Sequence, residues 1–480
     1  MKHAVLIIAH NESNHLLRLI SYFERDCYIF VHLDKKKNFT DDYVKIIQSM
    51  DNVIKVYRKY SLHWGGFSIL RCEIFLLKEA LNLCDAAYFH FLSGQDYPIR
   101  PLDTFLKVFE QRKDMDYIKY VRLPHPLWQN ATFRRFQYFF PFDFFKNPKE
   151  SNILKKIMNI QIKVGIKRAI PRSFDNIYGA SQWCSITRET SKLIIKYTQS
   201  SFYKRMRFVF APDEIYISTI VCNNIDKNKI TDNRRIVLWG KYRADSPLTL
   251  ELKHFRTLIG NECVIARKFS SGISDDLVYN IDKYLINDPE IQSMNNGGWD
   301  YNGFLKYDYN EFIFRQILFY IKAAEISDGI DVGCGVGIYV MKFRDYGIPM
   351  TGCDANPHTE ELSSLILHPD DTLCQTLDIT DEIECEDLFD LVLCMDVLSY
   401  IPSELLSKAM NNLMKLSRKS IIISFKNGEE ELLTQAIWYF ENHGFKYNRT
   451  FSNSFSIGKK SNYIFGVMEI IDDKNINEYV

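Results

Sequence analysis

The stretch that most constrains the fold is Tyr88–Pro101, YFHFLSGQDYPIRP. Tyr88 to Leu92 predicts a buried strand, and Ser93-Gly94-Gln95-Asp96 predicts the tight turn that ends it. Pro98 and Pro101 keep a helix from starting early. An apolar strand that runs into a small-residue turn carrying one carboxylate is how open α/β sheets present a ligand crevice. Taken alone, the same string is also a plain strand and turn, so the rest of the chain has to decide.

The surrounding pattern repeats that arrangement. Val5 to Ala9, Cys27 to Leu33 and Val53 to Val56 read as strands. Helices are expected from Asn14 to Phe23, capped by Asn11-Glu12-Ser13, and from Ser68 to Leu83. Alternation of short strands and helices predicts a βαβ nucleotide-binding sheet. At 480 residues the chain exceeds one core, so more than one domain is expected. Lys+Arg and Asp+Glu balance at 60 each, which speaks against nucleic acid as a partner. The 11 cysteines are scattered, without a CxxC pair, which argues against a zinc site or a disulfide framework. Ala4 to Ala9 is too short an apolar run for a signal peptide or a membrane span, so a cytoplasmic location is expected.

Several residues could carry chemistry. His32-Leu33-Asp34 ends the second strand, where nucleotide folds hold ribose or base, though Asp34 before Lys35–Lys37 also suits a solvated loop. The glycines of His63-Trp64-Gly65-Gly66-Phe67-Ser68 permit close backbone approach at a helix N-terminus that favours a phosphate or other polar group. Trp183 is suited to stack on a sugar ring. Asp213 and Glu214 follow Pro212 and are either capping carboxylates or a general base. Arg234 and Arg235 flank a strand, and Arg267 and Lys268 offer cations for a diphosphate leaving group. The aromatic, basic segment from Arg122 to Arg172 is either a solvated helix beside an aromatic patch or an acceptor-binding flap. The second option extends to peripheral contact with a membrane surface near a lipid-linked glycan.

In chain order, HLD (His32–Asp34), WGGFS (Trp64–Ser68), LSGQDYPI (Leu92–Ile99), GASQW (Gly179–Trp183), APDE (Ala211–Glu214) and ARKF (Ala266–Phe269) resemble the core-2/I-branching β-1,6-N-acetylglucosaminyltransferase family, which also includes peptide O-xylosyltransferases. The resemblance covers Lys2 to about Leu285. It implies a GT-A-type Rossmann-like fold, a UDP-sugar donor, inversion at the anomeric carbon, and work without a DxD metal site. It further implies Glu214 as catalytic base and Lys268 with Arg235, or its neighbour Arg234, at the diphosphate. His32, Asp34, Ser93 and Asp96 are expected on the donor side and Trp183 on the acceptor side. No metal ligand is expected.

A polar stretch over 286–298 predicts a linker between a first domain at 1–285 and a second at 299–480. There, Gly329-Ile330-Asp331-Val332-Gly333-Cys334-Gly335-Val336-Gly337 is a strand feeding a glycine-rich turn. Asp354 ends the next strand, at a spacing that suits a carboxylate on ribose hydroxyls. Leu377-Asp378-Ile379 ends a third strand, Phe389–Leu398 is a fourth and Ser420–Phe425 a fifth. The set resembles the class I S-adenosylmethionine-dependent methyltransferases, with an NAD-binding Rossmann domain as the rival. The resemblance implies Asp331, Gly333, Gly335, Gly337, Asp354 and Asp378 as cofactor contacts. His358, Asp396 and Tyr400 are candidates for the methyl-transfer step. The expected whole is an α/β chain carrying a glycosyltransferase and then a methyltransferase. It would transfer a sugar, N-acetylglucosamine from its UDP form or a xylosyltransferase-like donor, to a glycan. Methylation of a glycan group would follow, in bacterial surface-polysaccharide assembly at the inner membrane face. The alternative keeps the second domain as a docking module.

Overall fold

The computed structural model describes residues 1–24, 26–125, 133–145, 151–170, 173–240, 246–259, 263–287, 309–366, 373–383, 388–455 and 462–471. The chain forms two compact units, Met1–Glu251 with Asn261–Asn287, and Leu252–Gly260 with Asp288–Val480. From residue 288 the expected linker lies outside the described residues, as does the aromatic stretch at 299–308.

The first unit opens with β1 (His3–Ala9), α1 (Asn14–Tyr22), β2 (Cys27–Leu33), α2 (Asp41–Gln48), β3 (Val53–Tyr57), α3 (Phe67–Leu83) and β4 (Tyr88–Ser93). Every residue of β1 and β4 is buried. Continuous burial, rather than alternation, marks strands covered on both faces of a parallel sheet. Each fully buried aliphatic side chain there contributes roughly 1.5–3 kcal/mol. Ser13 caps α1, its Oγ accepting from Leu16 N–H at 3.1 Å.

Further elements are β5 (Asp96–Pro98), α4 (Leu102–Glu110), β6 (Asp116–Tyr117), β7 (Tyr120–Arg122), α5 (Arg134–Gln137), α6 (Asn152–Lys163), β8 (Tyr178–Ala180), β9 (Ser185–Thr187), β10 (Ile230–Thr231), β11 (Arg235–Val237) and β12 (Ile265–Arg267). The main sheet runs β10-β6-β9-β4-β1-β2-β3, with a small sheet β11-β12-β5 beside it. β1 pairs in parallel with β2 on one side and β4 on the other. The strand order therefore reverses between β1 and β4, which makes their carboxyl ends the switch point where open sheets bind ligands. The turn of Tyr88–Pro101 lands there, with Gly94 N–H donating to Ile8 O at 2.9 Å. A Cβ at Gly94 would sit 3.1 Å from Ala9 Cβ, so the small residue lets the turn close on β1. In the small sheet, β5 runs antiparallel to β12 and sets Asp96 opposite Arg267.

The second unit contains β13 (Gly329–Val332), β14 (Met350–Asp354), β15 (Cys374–Thr376), β16 (Phe389–Met395), β17 (Ser417–Lys426), β18 (Phe445–Tyr447) and β19 (Tyr463–Ile470). Their order is β15-β14-β13-β16-β17-β19-β18. The first five are parallel, and β19 is antiparallel to both of its neighbours. Its switch point lies between β13 and β16. The inserted antiparallel β19 departs from the 3-2-1-4-5-6 order of a dinucleotide-binding Rossmann sheet. The expected third and fourth strands end early, so Asp378 sits in the turn after β15 and Leu398–Tyr400 in a 3-10 turn after β16.

Candidate functional site

At the β1/β4 switch point lies a cavity of about 160 Å³, lined by Ala9, His10, Asn11, Gly94, Gln95 and Ser270 among others. Cations gather beside it. The His10 imidazole is held below its ordinary range by burial and then by Lys37, Lys268 and Arg267, which lie within electrostatic reach. Lys268 is half-buried, and its carbonyl accepts from Leu250 N–H at 2.8 Å. Arg267 is committed locally. Its Nη1 donates to Asp96 Oδ1 at 2.6 Å, and its guanidinium lies 4.4 Å from the centre of the Trp183 ring. Trp183, expected on the acceptor side, thus stacks on a cation of the same unit.

Five residues expected on the donor side make hydrogen bonds within the fold. His32 is fully buried, and its Nε2 accepts from Lys59 N–H and Tyr60 N–H at 3.2 and 3.0 Å. Asp34 is buried and accepts from Lys36 N–H and Leu62 N–H. Ser93 Oγ accepts from Gln95 N–H, and its own N–H donates to Asp96 Oδ2 at 2.8 Å. Asp96, also buried, holds that turn and Arg267. Arg235 spends its guanidinium on Phe91 O at 2.6 Å, Cys184 O at 3.0 Å and Ser185 Oγ at 3.1 Å. A buried polar group must find partners within the fold, and these side chains find theirs in strand and loop backbone, the Ser185 hydroxyl and the Arg267 guanidinium.

The WGGFS loop also differs from expectation. The anion at the N-terminus of α3 is Asp143, whose Oδ1 accepts from Ser68 N–H at 3.2 Å and Ser68 Oγ–H at 2.7 Å. A Cβ at Gly66 would sit 2.2 Å from that oxygen, so the glycine makes room for a carboxylate of the same chain. Gly65 O accepts from Ala211 N–H at 2.9 Å and so ties this loop to the APDE turn.

In that turn Ala211 has φ +46° and Pro212–Glu214 form one 3-10 turn. Glu214 keeps 34% of its side chain exposed, with Oε2 accepting from Arg135 Nη1 at 2.7 Å. Asp213 is turned inward and its carboxyl is pushed up to about 8 by burial and then by the Glu214 charge. Glu73 on α3 is buried too, and burial followed by Asp213 raises its carboxyl well above the usual range. Among the described residues, both oxygens of Glu73 and Oδ1 of Asp213 lack a hydrogen-bond partner. Of the three acids, Glu214 is the one that keeps exposed surface and meets Arg135.

His10, Arg135, Asp143 and Glu73 escaped the sequence reading. His10 directly follows a strand and Glu73 is a lone acid in an apolar run, which are usable signals. Arg135 and Asp143 meet their partners 79 and 75 residues away and leave no local trace. Among the described residues, no group of three or more His, Cys, Asp or Glu side chains comes together as a metal site. No described helix is long and apolar enough to cross a membrane.

In the second unit Gly333, Gly335 and Gly337 have φ of +76°, +56° and +81°. A Cβ at Gly333 would sit 2.2 Å from Val397 Cγ2. Asp354 accepts from Gly335 N–H and Asn356 N–H, both at 2.9 Å, and burial raises its carboxyl. Asp378 is within electrostatic reach of Asp354 and accepts from Thr380 N–H at 2.8 Å. Asp331 is buried within β13, and its carboxyl is pushed up to about 8 by burial and then by Asp354. After β16, Asp396 has φ +57° and lies 3.5 Å from Lys426 Nζ, which also bonds the Tyr400 hydroxyl. Lys426 had no signal in the sequence.

A cavity with cations near it at one switch point, and a glycine turn beside acids in the other sheet, mark a chain of two α/β units. A family model described as Core-2/I-Branching enzyme matches residues 4–258, more than half of the chain, and one described as a methyltransferase domain matches 304–456. The chain belongs to the core-2/I-branching enzyme family, and a methyltransferase domain of Rossmann-like fold follows the family region. Similar curated proteins include xylosyltransferase 1 of Rattus norvegicus, 23% identical over 304 residues, covering 58% of this chain and 35% of that protein. Xylosyltransferase 2 of Homo sapiens is 23% identical over 308 residues, covering 59% and 33%. The chain spans about a third of the length of these relatives. A solved magnesium protoporphyrin IX methyltransferase from Synechocystis PCC 6803 is 16% identical, covering 33% of this chain and 81% of that one with a TM-score of 0.27.

Proposed function

We propose that the first unit, 1–285, transfers a sugar from a UDP-sugar to a glycan hydroxyl with inversion, and that the second, 299–480, methylates a glycan group using S-adenosylmethionine. The observation that carries the reading is Glu214, an exposed carboxylate clamped by Arg135 while its acidic neighbours are buried. A single displacement needs one such base. Glu214 takes the proton of the acceptor hydroxyl, the acceptor oxygen bonds to the anomeric carbon, and the bond to the diphosphate breaks. The departing charge falls to Lys268 and Lys37 at the cavity, without a metal. Arg235 is not used, because its guanidinium is already spent. Trp183, stacked on Arg267, is read as a wall for the donor sugar. The donor is UDP-N-acetylglucosamine on the family's description, and the xylosyltransferase relatives favour UDP-xylose as the second reading.

In the second unit, three glycines with positive φ and a strand-end acid suit a ribose-bearing, cationic cofactor. S-adenosylmethionine supplies the electrophilic methyl group when bound. Gly333, Gly335 and Asp354 would hold it, and Lys426 with Tyr400 and Asp396 are placed to manage the acceptor's proton. Joining both activities in one chain raises the effective concentration of the intermediate at the second site, as surface-polysaccharide assembly would require.

The test is a double dissociation. Glu214→Gln should lose sugar transfer by roughly 100-fold or more while methyl transfer persists. Asp354→Ala should do the reverse. Sugar transfer retained in Glu214→Gln would refute the base, and no S-adenosylmethionine binding by the wild type would leave the second unit as a docking module.

A further inference from the structure

We propose that α6 and the turn after it form a docking face for an anionic lipid bilayer. Residues 151–170 contain Lys155, Lys156, Lys163, Lys167 and Arg168 and no acidic residue. The inner face of α6 is fastened to the unit. Leu154 is buried, and Gln161 accepts from Phe139 N–H at 2.8 Å and donates to Phe139 O at 3.0 Å. Ser151 Oγ caps the helix by accepting from Leu154 N–H at 3.2 Å.

The outer face is covered by nothing among the described residues of the unit. Ile153, Ile160 and Val164 are 64%, 57% and 63% exposed. Their spacings of seven and four place them on one stripe, with Ile157 between them. Single exposed apolar residues need no explanation, but a contiguous stripe does. Lys156 and Lys163 each follow a stripe isoleucine by three positions, so both exposed lysines flank the stripe on the same side. Aliphatic side chains entering the acyl boundary with lysines at the headgroups is the pattern of an interfacial helix. Protein interfaces are instead anchored by aromatic residues and arginine and are depleted in lysine, which disfavours a protein partner here.

The same segment reaches the base. Arg168 N–H donates to Gln137 O at 2.8 Å at the end of α5, and Arg135 in α5 clamps Glu214. A bilayer under α6 would therefore orient the acceptor side of the unit toward lipid-linked glycans. That last step rests on the transferase reading, whereas the lipid face does not.

The experiment is flotation of the full chain with phosphatidylcholine vesicles, with and without about one-third phosphatidylglycerol. Binding is expected only to the anionic vesicles. Lys156→Glu with Lys163→Glu should weaken it by at least about fivefold per lysine. Ile153→Ser with Ile160→Ser and Val164→Ser should weaken it by at least about tenfold. Because all five positions are on the surface, the variants should melt and bind UDP as the wild type does. Failure of the wild type to float with anionic vesicles, or undiminished flotation of either variant, would overturn the proposal. Flotation without UDP binding would sink the transferase reading and leave the lipid face standing.

Discussion

The two switch points are built from the same sheet logic and filled with opposite charge. After β1 and β4 the chain sets Lys37, Arg267 and Lys268 around His10 and folds its carboxylates away into loops. After β13 and β14 it sets Asp354 and Asp378 beside a glycine turn, with Asp331 buried just behind. The difference teaches that strand ends supply the place and the side chains supply the ligand. On the proposed reading, the first place takes a departing diphosphate and the second a cofactor with a positively charged sulfur.

The sharpest way to break this comparison is the Arg267–Asp96 pair. Arg267→Ala leaves a buried carboxylate unpaired and should cost about 3–5 kcal/mol in the first unit, read by urea unfolding. A loss under about 1 kcal/mol would mean that Asp96 reaches water and that the cation side is softer than described. Next comes Asp354→Ala, which should weaken S-adenosylmethionine binding by roughly 10–100-fold while leaving UDP affinity unchanged in calorimetry. Equal losses of both ligands would erase the distinction between the clefts. Lys268→Ala should weaken UDP binding by about tenfold and uridine binding hardly at all. Matching losses would remove the diphosphate from that lysine.

A further effect is one of pH. Asp213 holds its proton up to about 8 in the folded chain, against 3.8 as its ordinary value. An acid raised by folding contributes full stability below its unfolded value, and that contribution is lost as pH rises through the folded one. Thermal stability of the first unit should therefore fall between about pH 4 and pH 8. Asp213→Asn, neutral throughout, should flatten that limb. An unchanged slope in the variant would show that the inward carboxyl is not the group responsible.

Much of the fold was legible because apolar runs such as Val5–Ala9 and Tyr88–Leu92 fit nothing but buried strands. The two-residue strand β10 carries no such run and went unread. The site was legible at its turns and misread at several side chains. His32 and Asp34 end a strand as a ligand pair would, but the loop at 59–62 folds back and takes their hydrogen bonds. Arg235 is a cation on a strand flank, and only tertiary structure shows that Phe91, Cys184 and Ser185 consume it. Asp213 and Glu214 are adjacent acids that spacing alone cannot rank, and only the family resemblance favours Glu214. The 3-10 turn decides, sending one inward and the other to Arg135.

The account's central claim is that side-chain cations, together with Glu214, carry the sugar-transfer chemistry. The most direct measurement is UDP release by the purified full chain from a panel of UDP-sugars and glycan acceptors, with and without EDTA. The account predicts release from one sugar nucleotide that survives EDTA and disappears in Glu214→Gln. Release abolished by EDTA would contradict it, because a metal would then be doing the work assigned to Lys268 and its neighbours.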